Sequence, residues 1–417
     1  MAELTSAEQG KLDIELAEQN MPVLMKLREE FEKTKPFEGL TIGCCLHVTK
    51  ETAVLMRTLK AGGANVGLYS SNPLSTDDNI AEALQDEIEC HAKRGETYEV
   101  YKGYLAKILD MKPNICISDG GELIIEIHQN RPELLEHVIG GTEETTTGII
   151  RFRNMEKDGA LKFPLVSVND SMTKHMFDNR YGTGQSTMDG VLRSANRMIA
   201  GSTFVVGGYG WCSRGIAMRA RGMGANVIVT EIDAIKALEA HMDGFRVMPM
   251  DEAAKLGNFF ITSTGNTDVI TVEHMKSMKN GAVLGNAGHF NVEVMVKELE
   301  ESASSKKKVR RDLDEYILDG KKIYLIGEGR LANLVAAEGH PAEVMDMSFA
   351  NQALAAKHLV DNKGKLKAGV IPLPSEIDVS IAKTKLDESG IKMDELSKRQ
   401  KEYLAAWGEG AFKSERE

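Results

Sequence analysis

The chain lacks the features that mark several protein classes. Its 417 residues include only five cysteines, Cys44, Cys45, Cys90, Cys116 and Cys212, an odd number with no CxxC pair. That usage excludes a disulfide framework and a zinc ribbon, and it predicts reduced thiols in a cytoplasmic protein. No run of 18 apolar residues occurs, and the stretch MAELTSAEQGKLDIELAEQN is charged and amphipathic without an apolar signal core. Neither a membrane span nor secretion is expected. Positive charge is also short: 51 Lys and Arg stand against 62 Asp and Glu, a formal net charge of −11. Nucleic acid and anionic membranes are therefore poor partners. The one basic cluster, Lys306-Lys307-Lys308-Val309-Arg310-Arg311, is flanked by acids and has no interleaved aromatics, so it reads as a solvated face.

The stretch that organises the rest is TFVVGGYGWCSRGIAMRARGMGANVIVTE, Thr203 to Glu231. Thr203 to Gly207 predicts a short buried strand. Gly208-Tyr209-Gly210 lets the backbone turn tightly and approach a pyrophosphate, and the helix that follows through Arg221 points its positive end at the same anion. Asn226 to Thr230 predicts a second strand. It ends in Glu231, a carboxylate roughly 20 residues past the glycines, where dinucleotide folds hold a ribose diol. An acid there repels a 2′-phosphate, so NAD is expected rather than NADP. The third glycine of the usual pattern is missing: Ser213 stands in its place, with Gly215 two residues on.

Upstream, residues 5 to 34 predict a helix whose Leu12, Ile14, Leu16, Met21, Leu24, Met25, Leu27 and Phe31 face a core. An alternation follows: strand 40–44, helix 49–61, strand 65–69, helix 79–90, helix 98–109, strand 115–118. Such alternation calls for a mostly parallel sheet with ligands at the strand ends. His47 and Asp119 each follow a strand at once. Glu143-Glu144-Thr145-Thr146-Thr147 reads as a glycine-bounded turn, and NDSMTKHMFDNRYGTG crowds Lys174, Asp178 and Asn179 between two domains, where sites often form. Singly, His47 is as well read as an interior histidine, Lys174 as a surface cation and Asp119 as a turn former.

Taken together, CLHVTKETAVL, STDD, SDGGE, EETTTG, NDSMTKHMFDNRYG, GYGWCSRG, EID, GNAGHF and EGRLANL with GHP resemble, in order and over nearly the whole chain, S-adenosyl-L-homocysteine hydrolase of the shorter archaeal type. The resemblance implies an α/β fold of two doubly wound domains: a substrate-binding domain (1–182, completed by 341–372) and an NAD-binding Rossmann domain (183–340). A small C-terminal helical segment (373–417) would serve oligomerisation. It implies reversible hydrolysis of S-adenosyl-L-homocysteine to adenosine and L-homocysteine, with tightly bound NAD, no metal and a homotetramer. The alternative within the family is the inosyl substrate; outside it, an NAD-dependent dehydrogenase.

By the same resemblance, Lys174 and Asp178 lie at the 3′-oxygen, where a lysine of lowered pKa would take the hydroxyl proton, and Asn179 steadies them near the nicotinamide. His47 and Asp119 serve C4′, C5′ and sulfur, as base and acid or as water activators, and Glu144 grips the ribose hydroxyls. Thr49 and Glu51 meet the adenine edge; a carboxylate at Glu51 suits a 6-amino group and disfavours a 6-oxo group. His340 is a substrate-side histidine and His289-Phe290 a gate. Cofactor contacts fall to Thr145, Thr146, Thr147, Asn179, Gly208, Gly210, Glu231, Lys236, Thr264, Gly265, Asn266, Asn286 and Asn333. The chain departs from the family pattern at Thr183, Lys236, Ser118 and Ser213. It departs again in the tail WGEGAFKSERE, whose Lys413 cannot be equated with the family's tail lysine, so NAD is expected to be held less tightly.

Overall fold

Residues 4–407 are described in the computed structural model of the chain, and their strands form two sheets. β1 (Thr41–Leu46), β2 (Asn65–Ser70), β3 (Glu89–His91), β4 (Ile115–Ser118), β5 (Gly140–Glu143) and β6 (Pro164–Ser167) belong to the first. They stand in the order β3-β2-β1-β4-β5-β6, all parallel. The second sheet takes β7 (Thr203–Gly207), β8 (Asn226–Thr230), β9 (Arg246–Val247), β10 (Phe259–Thr262) and β11 (Ala282–Asn286), followed by β12 (Ser305–Arg310), β13 (Leu313–Leu318) and β14 (Lys321–Ile326). Its parallel part runs β9-β8-β7-β10-β11-β14, and β13 and β12 extend it antiparallel. After the helix Ala342–Asp361 the chain returns to the first sheet, where β15 (Gly369–Pro372) pairs beside β6.

Strands such as TFVVG, AVLGN and ICIS are almost continuously buried, because helices cover both faces of a parallel sheet. Apolar clusters accordingly pack on both faces of each sheet. In both sheets the strand order reverses beside the first strand, between β1 and β4 and between β7 and β10. Crevices for ligands open at such reversals, beyond the carboxyl ends of the strands. His47 and Asp119 lie at the first reversal, Gly208 and Ser263 at the second.

Some expectations are corrected. The tract 5–34 is two helices, Ser6–Gln19 and Pro22–Thr34, because Pro22 has no N–H to continue the first. The second helix is capped from afar: the Asp346 carboxylate accepts from the N–H groups of Val23 (3.2 Å) and Leu24 (2.8 Å). Ile14, Met21, Leu24 and Phe31 are buried, but Leu12 and Leu16 face solvent. The helix expected over 79–90 stops at Gln85, and residues 89–91 form the edge strand β3. Glu143 closes strand β5 rather than sitting in a turn. The basic cluster is exposed and lies along β12, a sheet edge that its lysines protect from pairing with another chain.

Candidate active site

A cavity of about 470 Å³ lies between the two reversals, lined from both sheets. On the first side, β1 delivers His47 and β4 delivers Asp119, with His47 Nε2 3.1 Å from Asp119 Oδ2. Ser75, whose hydroxyl also reaches the carbonyl of Asn72 (2.9 Å), lies 2.6 Å from His47 Nδ1. With Nδ1 engaged there, Nε2 is left as the nitrogen that faces Asp119 and the cavity. His289, from the second sheet, brings Nδ1 to 3.6 Å from Asp119 Oδ1. Burial alone would raise the Asp119 carboxyl, but the two imidazoles outweigh it and hold it at about 2. The donor atoms of His47, Asp119 and His289 lie within 4.8 Å of one another, a set able to hold a metal ion.

The tract from 169 to 182 folds as short helical turns ending in a π-helix, His175–Gly182. A π-helix inserts an extra residue per turn and is frequent at functional sites. Here it buries Lys174, Asp178 and Asn179 together. Lys174 Nζ meets Asn179 Oδ1 at 2.7 Å, Asp178 Oδ2 at 2.9 Å and Glu144 Oε1 at 3.4 Å. The lowered lysine pKa expected from sequence is overturned: burial pulls it down, but the carboxylates of Asp178 and Glu144 prevail, so Lys174 is held as an ammonium. Glu144 is raised to about 8, chiefly by burial, with Lys174 opposing. Burial raises Asp178 less than Lys174 and His340 lower it, and the net shift is downward.

One face of the helix Ala342–Asp361 backs this cluster, with residues four apart sharing the face. Ser348 donates to Asp178 Oδ2 (2.8 Å), and the Gln352 amide donates to Glu144. His340 Nδ1 bonds Asp178, while its Nε2 accepts from the Asn333 amide at 3.1 Å. Thr49 caps the helix Lys50–Ala61, and Glu51 in its first turn is 1% exposed. Lys50 Nζ is 3.2 Å from Glu51 Oε1 without hydrogen-bond geometry, so that buried oxygen, at the cavity wall, remains able to accept.

On the second side, Gly208 is left-handed (φ 92°), and the site where Gly210 would carry a Cβ is open. Ser213, in place of the third glycine, is buried with its hydroxyl between the carbonyls of Ser263 (3.0 Å) and Gly207 (3.2 Å). Close packing passes instead to Gly215, where any side chain would run into the Arg180 carbonyl of the π-helix. Glu231 Oε2 accepts from the Tyr209 N–H (2.7 Å), so the carboxylate does stand beside the glycine turn. The Glu293 carboxylate, also buried, accepts from the N–H groups of Thr264 (2.9 Å) and Gly265 (2.9 Å) and shapes that loop.

Most expected site residues line the one cavity: His47, Thr49, Glu51, Asp119, Glu144, Thr145, Thr146, Thr147, Lys174, Asp178, Asn179, Gly210, Lys236, Thr264, Gly265, His289, Asn333 and His340. Gly208, Glu231, Asn266, Asn286 and Phe290 do not line it. Gly208 and Glu231 shape the turn beneath, and Asn266 is exposed. Asn286 is fully buried and donates to the carbonyls of Gly288 (3.1 Å), Phe290 (2.8 Å) and Gly329 (3.0 Å), a scaffold role. Phe290 stacks edge-on against His289. Lys413 lies outside the described residues. Sequence reasoning missed Tyr209, Trp211, Cys212 and Arg214, which line the cofactor side, and Ser348, Gln352 and Glu293 behind the site. The first four lie inside or just after the glycine turn, which is itself the signal for them.

The comparisons agree with this geometry. Residues 1–133 match the family described as S-adenosyl-L-homocysteine hydrolase, and residues 179–339 match its NAD binding domain. The chain is 58% identical over 411 residues to adenosylhomocysteinase of Aquifex aeolicus, covering 98% of both chains. It is 57% identical to S-inosyl-L-homocysteine hydrolase of Methanocaldococcus jannaschii, covering 97% of each, and 56% identical to adenosylhomocysteinase of Saccharolobus solfataricus, covering 98% of each. With a cofactor turn and a buried Lys-Asp-Glu cluster facing one another across the cavity, the chain belongs to the S-adenosyl-L-homocysteine hydrolase family and carries its NAD-binding domain.

Proposed function

We propose that this chain hydrolyses S-adenosyl-L-homocysteine, reversibly, to adenosine and L-homocysteine, keeping NAD through each turnover. The observation that carries the reading is the meeting of the Lys174-Asp178-Glu144 cluster and the His47-Asp119 pair in one cavity with the glycine turn. The residues present fit NAD: a left-handed Gly208, an open Gly210, a twelve-residue helix beginning at Trp211 and the Glu231 carboxylate beside the turn. Gly208, Gly210 and Glu231 would hold NAD there, and the bound cofactor would supply a reversible hydride acceptor for C3′.

Lys174, held as an ammonium, stabilises negative charge at the 3′-oxygen. Glu144, its carboxyl raised to about 8, is a stronger base than an ordinary glutamate in its ionised form, the minority form below that pH, and that form accepts the 3′-hydroxyl proton. Once C3′ is a ketone, the hydrogen on C4′ is acidic enough for a side chain to remove. His47, oriented by Ser75 and Asp119, moves that proton, and homocysteine leaves by elimination. Water then adds at C5′. His289 closes over Asp119 and keeps bulk water from the keto intermediate.

Relatives of nearly equal identity carry the adenosyl and the inosyl name, so overall likeness does not choose the base. Glu51 favours adenosyl: its buried acceptor pairs with a 6-amino group and is left unpaired by a 6-oxo group. We further assign residues 1–182 and 341–372 to substrate, 183–340 to cofactor and 373–417 to oligomerisation, the two crossings acting as a hinge. A cytoplasmic homotetramer is the working form we infer. The exposed apolar row Ile232, Ile235, Leu238 and Met242 supports a subunit contact. The test is thiol release from the adenosyl and inosyl compounds in parallel, with NADH absorbance followed. Homocysteine from the adenosyl compound without net NADH is expected; steady NADH growth with no thiol would indicate a dehydrogenase.

A further inference from the structure

We infer that Arg151 latches the His289-Phe290 segment of the second sheet onto the loop that carries Asp119, and so keeps an oxidised substrate enclosed. This rests on the function proposed above and adds a positioning residue to it. Arg151 lies in the helix Thr146–Lys157, one turn past the threonines at the cavity wall. Its Nη1 donates to the Gly120 carbonyl at 2.7 Å and to Glu122 Oε1 at 2.8 Å, which fixes the guanidinium on the catalytic loop. The same guanidinium stands 5.9 Å from the centroid of the Phe290 ring. Phe290 packs edge-on against His289, with ring centroids 4.7 Å apart, and His289 leans on Gly120, where a Cβ would collide with its Nε2. Gly120 is left-handed (φ 96°), so only glycine suits both the turn and the approach.

The segment is therefore held at two ends. Asn286, through three backbone carbonyls, fixes it to its own sheet; Arg151 fixes it to the other. Because Arg151 touches the gate through a ring face rather than a second ion pair, the contact is modest and can break when product leaves. Losing it shifts the balance of closed and open forms about five- to tenfold.

The consequence is chemical. If the gate opens while C3′ is a ketone, the ketone leaves, its hydride stays on the enzyme as NADH and its proton goes to solvent. One ketone is lost per NADH retained, and that enzyme can no longer turn over. Holoenzyme loaded with NAD, turning over the adenosyl compound, tests this. Arg151→Ala is expected to lower the initial rate less than threefold, yet to lose activity during turnover about five- to tenfold faster than wild type, with matching NADH retained. Arg151→Lys, which keeps a cation, recovers part of the difference. Phe290→Leu is expected to behave like Arg151→Ala, and the double variant no worse than either. Hydrogen exchange at residues 287–290 of the cofactor-free chain is expected to quicken in Arg151→Ala. Wild-type persistence in Arg151→Ala, additive effects with Phe290→Leu, or unchanged exchange would each overturn the latch. A wild type that releases no thiol at all would overturn the proposed function, and the latch with it.

Discussion

Asp178 Oδ2 lies 2.9 Å from Lys174 Nζ, and both side chains are buried where one turn of π-helix puts them side by side. Neither charge is tolerable there alone. Removing one partner of a buried pair typically costs about 3–5 kcal/mol. Asp178→Ala is expected to fall in that range by denaturant unfolding of the cofactor-free chain, and Asp178→Asn, which keeps the shape, to lose less. Both should reduce kcat/KM by about 10²- to 10³-fold, because Lys174 loses the carboxylate that fixes its direction. Wild-type kinetics in Asp178→Asn would remove that pair from the mechanism.

Glu144 gives a pH dependence of known sign. Its carboxyl titrates at 4.5 ordinarily and at about 8 in the folded chain. Between those values the folded state binds more protons than the unfolded, so this group makes stability fall as pH rises. The difference in unfolding free energy between wild type and Glu144→Gln should therefore change steadily from pH 4.5 to 8. A difference flat across that window would mean that Glu144 is ionised throughout.

The division of labour between the two halves of the site is separable. Asp119, held ionised by His47 and His289, is assigned to the steps after oxidation. Asp119→Asn should still form NADH on the enzyme when given substrate, while thiol release falls by about 10²- to 10⁴-fold. Stopped-flow absorbance against thiol titration reads both. Equal loss of the two would place Asp119 in the oxidation step as well.

Glu51 is the residue proposed above to choose the base. Changing it to Met removes the buried acceptor, and the ratio of kcat/KM for the adenosyl over the inosyl compound should drop by about 10²-fold or more. A ratio that does not move would take Glu51 away from the purine edge.

Much of this site was legible because doubly wound sheets put functional residues at strand ends. His47 and Asp119 each follow a strand in sequence, and the order of the sheet brings those two strands together. The cofactor turn was legible for the same reason, down to the position of Glu231 beside it. What escaped depends on tertiary contact. The π-helix has no composition that separates it from an ordinary turn of helix. The raised pKa of Lys174 needs Asp178 and Glu144 both in place, and neither contact follows from spacing alone. Gln352 reaches Glu144 from 208 residues away. The edge strands β3 and β12 were missed because β3 is three residues long and β12 is a run of charge, and neither alternates as a half-buried strand does.

The central claim is a closed redox cycle around elimination, and isotope placement tests it most directly. Substrate carrying deuterium at C3′ should be turned over in ordinary water, and substrate without label in heavy water. The account predicts that the 3′ deuterium survives into adenosine, because the hydride returns to the carbon it left. It also predicts that C4′ takes up solvent deuterium, because a side chain removes and replaces that proton. Adenosine that loses its 3′ label, or that forms with no exchange at C4′, would contradict it.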